Sequence, residues 1–226
     1  MSQKKVVIFM PSIEGGGVEK NLFIISNFLG KKLSKTILIT ADRSFNSKFK
    51  NIHVINPNIK IEKIKIRKLK YLFCLIELIK LFFANKNYLV FAFQANLYCS
   101  IICKFFGIKI IIRSNSSPSG WKLGLLKHFV YKKLLKIPKR IIVNSNEFKK
   151  EYKKKFNLNV RCIYNPLNKS QIIKLSNFKV NNFFSKNFKG LKIIFIGRLV
   201  DQKDPMTFLN ALKILKKKIL FRSIII

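Results

Sequence analysis

The chain has very few acidic residues. Nine of its 226 residues are Asp or Glu and 46 are Lys or Arg, which gives a formal net charge of +37 at pH 7. Such a balance favours a partner with an anionic surface, and both nucleic acid and an anionic membrane leaflet fit that description. The basic residues are mostly Lys and are spread along the whole chain. We therefore place peripheral membrane contact ahead of nucleic-acid binding.

Metal-ligating residues are also scarce. The chain has two histidines, His53 and His128, and four cysteines, Cys74, Cys99, Cys103 and Cys162. No pair of cysteines has the spacing of a metal finger, and the histidines lie in no cluster that would complete a site. We expect no metal and no cofactor, and we interpret the cysteines as buried thiols.

No apolar run is long enough to cross a bilayer. The longest, Tyr71 to Phe83, is interrupted by Glu77 and Lys80, and a spanning helix needs about 20 residues. The segment Met1 to Lys5 leads directly into a strand-like run, so we expect no signal peptide. The sequence therefore predicts a cytoplasmic protein whose contact with the inner face of the plasma membrane is peripheral.

What the chain does have is a regular alternation of apolar runs and helical patterns. Strand-like runs cover residues 5–10, 35–40, 52–56, 88–93, 108–112, 140–143 and 160–164, and most of them are separated by helical periodicity. Apolar residues make up 49% of the chain, enough for a full core. The alternation predicts an α/β fold, a Rossmann-like parallel sheet with helices on both faces.

Polar residues follow several of the predicted strands. Ligands of such sheets bind beyond the carboxyl ends of the strands, where the sequence places Gln94, Asn96, Arg113, Asn115, Asn144 and Asn165. The most polar of these loops is 113–121. Its Trp121 either stacks on a sugar ring or packs against the top of the sheet.

Three consecutive glycines separate the first predicted strand from the first predicted helix. Gly15, Gly16 and Gly17 would let backbone N–H groups approach a phosphate or a sugar, although a turn without function would look the same. The segment lacks the G-x-G-x-x-G spacing, which excludes a Rossmann dinucleotide site here.

A second strand-loop-helix pattern covers Leu191 to Leu209. The apolar run stops at Gly197, the loop carries Arg198 and Lys203, and Pro205 indicates a helix start. Two cations beside a helix N-terminus suit a diphosphate, whereas the alternative is an ordinary turn with solvated side chains.

Two further helical segments are rich in lysine. In 122–136 the apolar residues Leu125, Leu126, Phe129, Val130 and Leu134 share one side, and 147–156 carries five lysines. Such helices either lie on anionic lipid or present a solvated face. The stretch 168–189 has no regular periodicity and indicates a linker, so we predict domains at 1–167 and 190–226, the second incomplete.

Four segments together resemble a known enzyme family. They read Gly-Gly-Gly-Val-Glu-Lys, Ile-Val-Asn-Ser-Asn-Glu-Phe, Ile-Tyr-Asn-Pro-Leu-Asn and Ile-Gly-Arg-Leu-Val-Asp-Gln-Lys-Asp. In this order they resemble the retaining GT-B glycosyltransferases of the "glycosyl transferases group 1" type. The resemblance implies two Rossmann-like domains facing across a cleft. It also implies a nucleotide-sugar donor held mainly by the C-terminal domain, an acceptor held mainly by the N-terminal one, and no metal requirement.

The resemblance further implies roles for individual residues. Arg198 and Lys203 would clamp the donor diphosphate as the catalytic residues, and Gly15 to Gly17 would close over the donor phosphate and sugar. The residues after the other strands would line the acceptor side of the cleft. The acceptor would be a saccharide or lipid-linked precursor of a cell-surface polysaccharide or glycolipid.

Two features depart from the family's pattern. Asn115 stands about where many relatives carry His or Asp, and no acidic residue follows Asp204, so the family's pair of glutamates separated by seven positions is absent. We therefore expect a fragment that is inactive on its own. A non-catalytic module that binds sugars or lipid head groups and a basic nucleic-acid-binding protein stay open as alternatives.

Overall fold

The computed structural model describes residues 5–14, 16–58, 66–121, 124–178, 188–197 and 199–226. The chain divides into two compact units, Met1–Asn168 and Lys169–Ile226. Each unit has its own parallel sheet.

In the first unit, the described residues form a seven-stranded sheet with the order β3-β2-β1-β4-β5-β6-β7, parallel throughout. The strands are β1 Lys5–Phe9, β2 Lys35–Ile39, β3 His53–Ile55, β4 Leu89–Ala92, β5 Ile110–Ser114, β6 Arg140–Val143 and β7 Arg161–Cys162. The helices are α1 Gly17–Lys32, α2 Arg67–Ala84, α3 Asn96–Phe105, α4 Leu125–Leu134 and α5 Asn146–Phe156. The predicted Rossmann-like α/β fold is confirmed.

The central strand β1 is buried on both of its faces. Val6 and Ile8 belong to one apolar cluster, whereas Val7 and Phe9 belong to the other. Leu22 of α1 packs in the first cluster. Helices α2, α3 and α5 supply the second cluster with Cys74, Leu78, Phe82, Cys99, Cys103, Tyr152 and Phe156. Two-sided burial explains why the strands read as continuous apolar runs in the sequence.

Two glycines fix how helices meet the rest of the fold. Gly107, at φ +69°, follows α3 in the left-handed region, as expected for the glycine that ends a helix. Gly30 lies inside α1, where a Cβ atom would come within 2.8 Å of the Asn51 carbonyl oxygen and 2.9 Å of Ile52 Cγ1. Only glycine therefore allows α1 to approach the segment before β3 this closely.

The second unit is a βαβ unit preceded by a short helix. Helix α6 spans Lys169–Ser176, and strands β8 Leu191–Phe195 and β9 Phe221–Ile225 flank helix α7 Pro205–Leu215. The predicted linker 168–189 therefore contains a helix, while residues 179–187 of it lie outside the described part of the chain. Asp204 caps α7 by accepting a hydrogen bond from the Thr207 N–H at 3.2 Å, and Pro205 is the first helical residue, as the sequence predicts.

All four cysteines are free. Three are buried, and burial raises the pKa of Cys74 to about 12. The prediction of a buried thiol is wrong for Cys162, which is half-buried because it lies on the short edge strand β7. Within the part of the chain that the structure describes, no helix combines the length and the apolar character needed to cross a membrane.

We expect Gly30→Ala to lower the free energy of unfolding by about 1–3 kcal/mol, because the new methyl group must displace backbone atoms of the neighbouring segment. Gly17→Ala, in the same helix, is the matched control: a Cβ there meets no atom within 4 Å. Urea unfolding of both variants measures the difference. Equal stability of the two would contradict the packing described for Gly30.

Candidate functional site at the carboxyl edge of the sheet

Polar side chains collect where the parallel strands end. Gln94 and Asn96 follow β4, Asn115 follows β5, and Asn144 follows β6. Arg113 is the penultimate residue of β5, and Asn165 follows β7. All six sequence-predicted residues of the acceptor side therefore lie along one edge of the first sheet, which we call the carboxyl edge.

The direction of strand order reverses between β1 and β4, and a hydrogen bond spans that point. The Ser12 N–H after β1 donates to Gln94 Oε1 at 3.0 Å. Crevices of this kind are where ligands bind in open α/β sheets. Gln94 is thus brought together with the start of the glycine loop.

The glycine loop is organised by Glu19, a residue that the sequence patterns did not single out. Its carboxylate accepts hydrogen bonds from the N–H groups of Gly16 at 2.8 Å and Glu14 at 3.4 Å, and the side chain is buried. Glu19 is the third residue of α1, the position of the acidic member of a capping box, and this spacing was the available signal. A carboxylate thus occupies the anion-binding end of α1. Gly15 lies outside the described residues.

Asp42, after β2, is a second residue beside the site that the sequence patterns did not single out. It is buried, accepts a hydrogen bond from the Ile13 N–H at 2.7 Å, and pairs with the Lys70 ammonium at 2.5 Å. The signal for it was an acidic residue directly beyond the carboxyl end of a strand. Asp42 therefore holds the loop after β1 from the side opposite Gln94.

Arg113 is a buried cation whose described hydrogen-bond acceptors are neutral. Its side chain is 1% exposed and donates to the Ile163 carbonyl oxygen at 3.2 Å and to Asn165 Oδ1 at 2.9 Å. The Asn96 amide in turn donates to the Arg113 carbonyl oxygen at 3.0 Å. Burial lowers the pKa of Arg113 below its ordinary value. These contacts join the start of α3, β5 and the segment after β7 along the edge.

Several buried polar atoms at this edge have no hydrogen-bond partner in the protein. Among the described residues, eight side-chain atoms are of this kind, and four of them are Asn96 Oδ1, Arg113 Nε, Asn115 Oδ1 and Asn144 Oδ1. Buried polar atoms are normally paired, and an unpaired group in a native fold indicates a function or a contact with solvent or ligand. Their concentration at the carboxyl edge identifies it as the candidate site.

Trp121 packs against the protein. Its ring lies 5.9 Å from Tyr131 and 6.0 Å from both Tyr152 and Phe156, and its indole N–H donates to Ser116 Oγ at 3.2 Å. Of the two alternatives for this residue, the geometry supports packing at the top of the sheet.

Helix α5 holds the loop that precedes Trp121. The Ser117 hydroxyl and the Ser119 N–H both donate to the Glu151 carboxylate, and the Lys155 ammonium donates to the Pro118 carbonyl oxygen at 2.7 Å. The loop that carries Asn115 is thus fixed from the side of α5.

A cationic groove of about 490 Å³ lies beside the edge strand β7. Arg140, Lys149 and Arg161 line it, together with Asn146 and Tyr164, which are hydrogen-bonded to each other at 2.9 Å. Among the described residues that line it there is no acidic one, so the groove suits an anionic group.

In the second unit, Lys203 ends a short 3-10 helix, Asp201–Lys203, and its side chain is exposed. Its aliphatic stem passes close to Gly197, where a Cβ atom would be 3.6 Å from Lys203 Cγ. Arg198 lies outside the described residues, so its predicted pairing with Lys203 stays a prediction. No group of three or more residues that could hold a metal ion occurs in the described ranges.

Several solved structures share the fold. Anabaena Alr3699/HepE in complex with UDP and glucose has a TM-score of 0.65 at 16% identity, over 98% of this chain and 60% of that one. A glycosyltransferase from Rickettsia africae ESF-5 has a TM-score of 0.62 at 15% identity, over 100% and 60%. The lipopolysaccharide outer core galactosyltransferase WaaB, in its apo form, has 0.59 at 13%, over 98% and 60%.

At this level of identity the likeness shows the fold alone. The chain spans about 60% of the length of these neighbours. No protein-family model matches the sequence, and no curated protein matches it.

The pH dependence of Trp121 fluorescence tests whether the Glu151 carboxylate holds the loop that precedes Trp121. Hydrogen bonds from Ser117 and Ser119 lower the pKa of Glu151 below its ordinary value of 4.5. Ionised Glu151 therefore contributes its full stabilisation above that value, and the contribution is lost as the pH falls through the lowered pKa. We expect Trp121 fluorescence to change in this acid range, and we expect Glu151→Gln to remove the change.

Glu147→Gln is the matched control, because Glu147 is also on α5 and its pKa is also lowered, first by a hydrogen bond from its own backbone. It makes no contact with the loop in the described hydrogen bonds. The chain has one tryptophan, so the signal reports on this site alone. A transition that persists in Glu151→Gln and disappears in Glu147→Gln would contradict the assignment.

Proposed function

We propose that the chain is part of a retaining GT-B glycosyltransferase that moves a sugar from a nucleotide-sugar donor to a saccharide or lipid-linked acceptor. The observation that carries the proposal is the set of unpaired buried polar atoms of Asn96, Arg113, Asn115 and Asn144, gathered at the edge where α/β sheets bind ligands. Support comes from the neighbours of the same fold, which include Alr3699/HepE in complex with UDP-glucose and enzymes named as a glycosyltransferase and a galactosyltransferase.

On the donor side we assign the catalytic roles to Arg198 and Lys203. In sugar transfer the negative charge develops on the departing nucleoside diphosphate, so cations placed there stabilise the transition state more than the ground state. Lys203 is exposed on the loop before α7, where it is accessible to a diphosphate. The reaction needs no metal in this proposal because these side chains supply the positive charge.

The glycine loop, Gly15 to Gly17, would contact the donor phosphate and sugar. In the structure the Gly16 N–H is bonded to the Glu19 carboxylate. An incoming phosphate of the same charge would compete with that carboxylate for the N–H group, so donor binding on this side involves a movement of Glu19.

The acceptor would bind along the carboxyl edge, where Gln94, Asn96, Asn115, Asn144 and Asn165 offer amides for sugar hydroxyls. The cationic groove beside β7 reaches the same end of the sheet through Tyr164 and Asn146. Its three cations complement a phosphate-bearing acceptor, which favours a lipid-linked precursor of a surface polysaccharide or glycolipid over a neutral saccharide. We further propose that the protein acts at the cytoplasmic face of an anionic membrane.

We also propose that the domains lie at 1–167 and 190–226 and that the second is one βαβ part of a larger donor-binding domain. Its apolar side chains are largely uncovered: Leu191, Ile194, Ile196, Met206 and Ile214 are all exposed. The neighbours extend well beyond the region that this chain matches. In this proposal the 226-residue chain alone does not turn over substrate.

The donor-side proposal predicts that Lys203→Ala lowers kcat/KM for sugar transfer by about 100-fold or more, since it removes a cation from the leaving group. The melting temperature stays unchanged because the side chain is exposed. Arg198→Ala is expected to act in the same way. The assay uses protein expressed from the complete reading frame, and Lys213→Ala, another exposed lysine of the second unit, is the control. Wild-type rates in both loop variants would contradict the clamp.

The acceptor-side proposal predicts that Asn144→Ala raises KM for the acceptor by about tenfold, the value of one good hydrogen bond. The Asn144→Ala variant should be about as stable as the unmodified protein, because the amide oxygen that it removes has no hydrogen-bond partner in the protein. Asn46→Ala is the control: its amide oxygen is likewise buried without a partner, but it lies between β2 and β3, away from the predicted acceptor residues. Equal effects of both substitutions on KM would argue against an acceptor at the carboxyl edge.

Calorimetry with nucleoside diphosphates and their sugars separates the function classes. Binding of a nucleotide sugar by the protein from the complete reading frame supports the proposal. Binding of sugars or lipid head groups without nucleotide binding would indicate a non-catalytic module instead. Salt-sensitive oligonucleotide binding without either would indicate that the charge serves nucleic acid.

A further inference from the structure

Helix α4 presents its apolar side to solvent. Leu125 is 94% exposed, Leu126 78%, Phe129 54% and Val130 44%. At about 100° of rotation per residue, these four side chains share one side of the helix. An apolar stripe of this kind normally faces a core, so its exposure is unusual for a helix of a folded domain.

The opposite side of α4 makes the contacts with the protein. His128 stacks on Phe156 with ring centroids 5.1 Å apart, Tyr131 lies 5.9 Å from Trp121, and Leu135, just beyond the helix, is buried. The helix is therefore held in place by a second set of residues, which leaves the four apolar side chains of the first set without protein contacts that bury them.

The neighbouring helix α3, which packs against α4, also exposes apolar side chains. Tyr98 is 62% exposed and Ile101 46% exposed, and they lie on the side of α3 opposite the buried Cys99 and Cys103. We call the six residues Tyr98, Ile101, Leu125, Leu126, Phe129 and Val130 the α3–α4 apolar surface.

The charged residues of helices α3 and α4 are all of one sign. Helices α3 and α4 contain no acidic residue, and they carry Lys104, Lys127, Lys132 and Lys133. The Lys133 ammonium lies over the Phe129 ring, 4.4 Å from its centroid. Apolar residues surrounded by lysines fit the boundary of an anionic bilayer, where the apolar groups enter the acyl region and the cations meet lipid phosphates.

The other lysine-rich helix, α5, provides a contrast within the same protein. Its apolar residues Tyr152 and Phe156 are buried, and its lysines Lys149, Lys150 and Lys153 form an exposed face. Helix α5 is thus an ordinary solvated amphipathic helix, whereas α4 exposes both its apolar and its charged residues.

We propose that the α3–α4 apolar surface docks on an anionic lipid bilayer, with Leu125, Leu126 and Phe129 entering it and the lysines of α4 contacting lipid phosphates. Charge complementarity selects this occupant, because a second copy of the chain would bring the same cations against it. The inference rests on the proposed membrane contact and gives it a location.

The location relates the membrane to the candidate site. In a βαβ unit the helix runs back against the strand direction, so the first turns of α3 and α4 lie near the carboxyl edge. Tyr98, Leu125 and Leu126 are in those first turns. A bilayer contacted there would present lipid-linked molecules beside the acceptor residues.

The test is binding of the 226-residue chain to vesicles of phosphatidylcholine and phosphatidylglycerol in equal parts, compared with pure phosphatidylcholine. We expect binding to the anionic vesicles alone. The double variant Leu125→Ser/Leu126→Ser should weaken it by about tenfold or more, because two leucines lose their transfer from water into the bilayer. Both residues are exposed, so circular dichroism and melting temperature should match the unmodified chain.

Two controls make the test specific. Leu72→Ser/Leu167→Ser removes two exposed leucines elsewhere and should leave vesicle binding unchanged. Lys127→Gln/Lys133→Gln should weaken binding more than Lys150→Gln/Lys153→Gln on α5, two exposed lysines outside the cationic groove, and the difference should shrink as salt is added. Unchanged binding in Leu125→Ser/Leu126→Ser, an equal loss in the leucine control, or equal binding to both kinds of vesicle would overturn the proposal.

Two further measurements distinguish lipid docking from self-association and from a role in sugar transfer. Sedimentation equilibrium that shows a dimer, dissociated by Leu125→Ser/Leu126→Ser, would overturn the proposal in favour of a second copy. Transfer to a soluble acceptor by the protein from the complete reading frame should be the same with and without this double variant. If the unmodified protein from the complete reading frame bound anionic vesicles but no nucleotide sugar, the glycosyltransferase proposal would be refuted. The proposal for the α3–α4 apolar surface would be unaffected.

Discussion

The burial of the parallel sheet on both faces is the constraint on which the rest of the structure depends. Residues on β1 contribute to an apolar cluster on each side, and helices cover both. The central strands thus have no solvent-exposed face for polar side chains, which are concentrated where the strands end. The candidate site is a consequence of that exclusion. Asn96, Arg113, Asn115 and Asn144 all lie at the edge where the strands end, and Asn96 contacts Arg113 there.

Acidic residues are scarce, and three of them hold loops of the first unit in place. Glu19 binds the glycine loop, Asp42 holds the segment after β1, and Glu151 holds the loop before Trp121. All three accept hydrogen bonds from backbone N–H groups at loops that border the carboxyl edge. Arg113, by contrast, is buried with neutral acceptors, because the edge offers it amide and carbonyl oxygens. The excess of positive charge is therefore carried by the surface and the groove.

Sequence patterns predicted the fold well, because the spacing of apolar residues within a short segment indicates both its secondary structure and its burial. The strands β1, β2, β3, β4 and β6 fall within the predicted runs. Strand β7 is two residues long, because it pairs on one side only at the edge of the sheet. The segment 169–176 forms a helix that weak periodicity did not indicate.

The candidate site was predicted less completely. Its amides and Arg113 were found from the rule on strand ends. Glu19 stands at a capping-box spacing that was available in the sequence, whereas the role of Asp42 depends on a contact with Ile13 across 29 residues, for which there is no spacing rule. Which side of α4 faces inward depends on His128 and Tyr131 meeting aromatic rings from other segments. These contacts are between segments that are distant in the sequence. Hydrophobic periodicity alone therefore identifies the apolar side of a helix but does not tell whether that side faces the core or the solvent.

The exposure of the first turns of α4 beside the carboxyl edge has a consequence for how substrates arrive. In the proposed docking, a protein held to a bilayer through Leu125 and Leu126 would keep the predicted acceptor residues close to the lipid phosphates. It would meet a membrane-borne molecule by lateral diffusion. The rate of encounter would then follow the number of acceptors per unit area of membrane, while the donor would still arrive from the bulk solution.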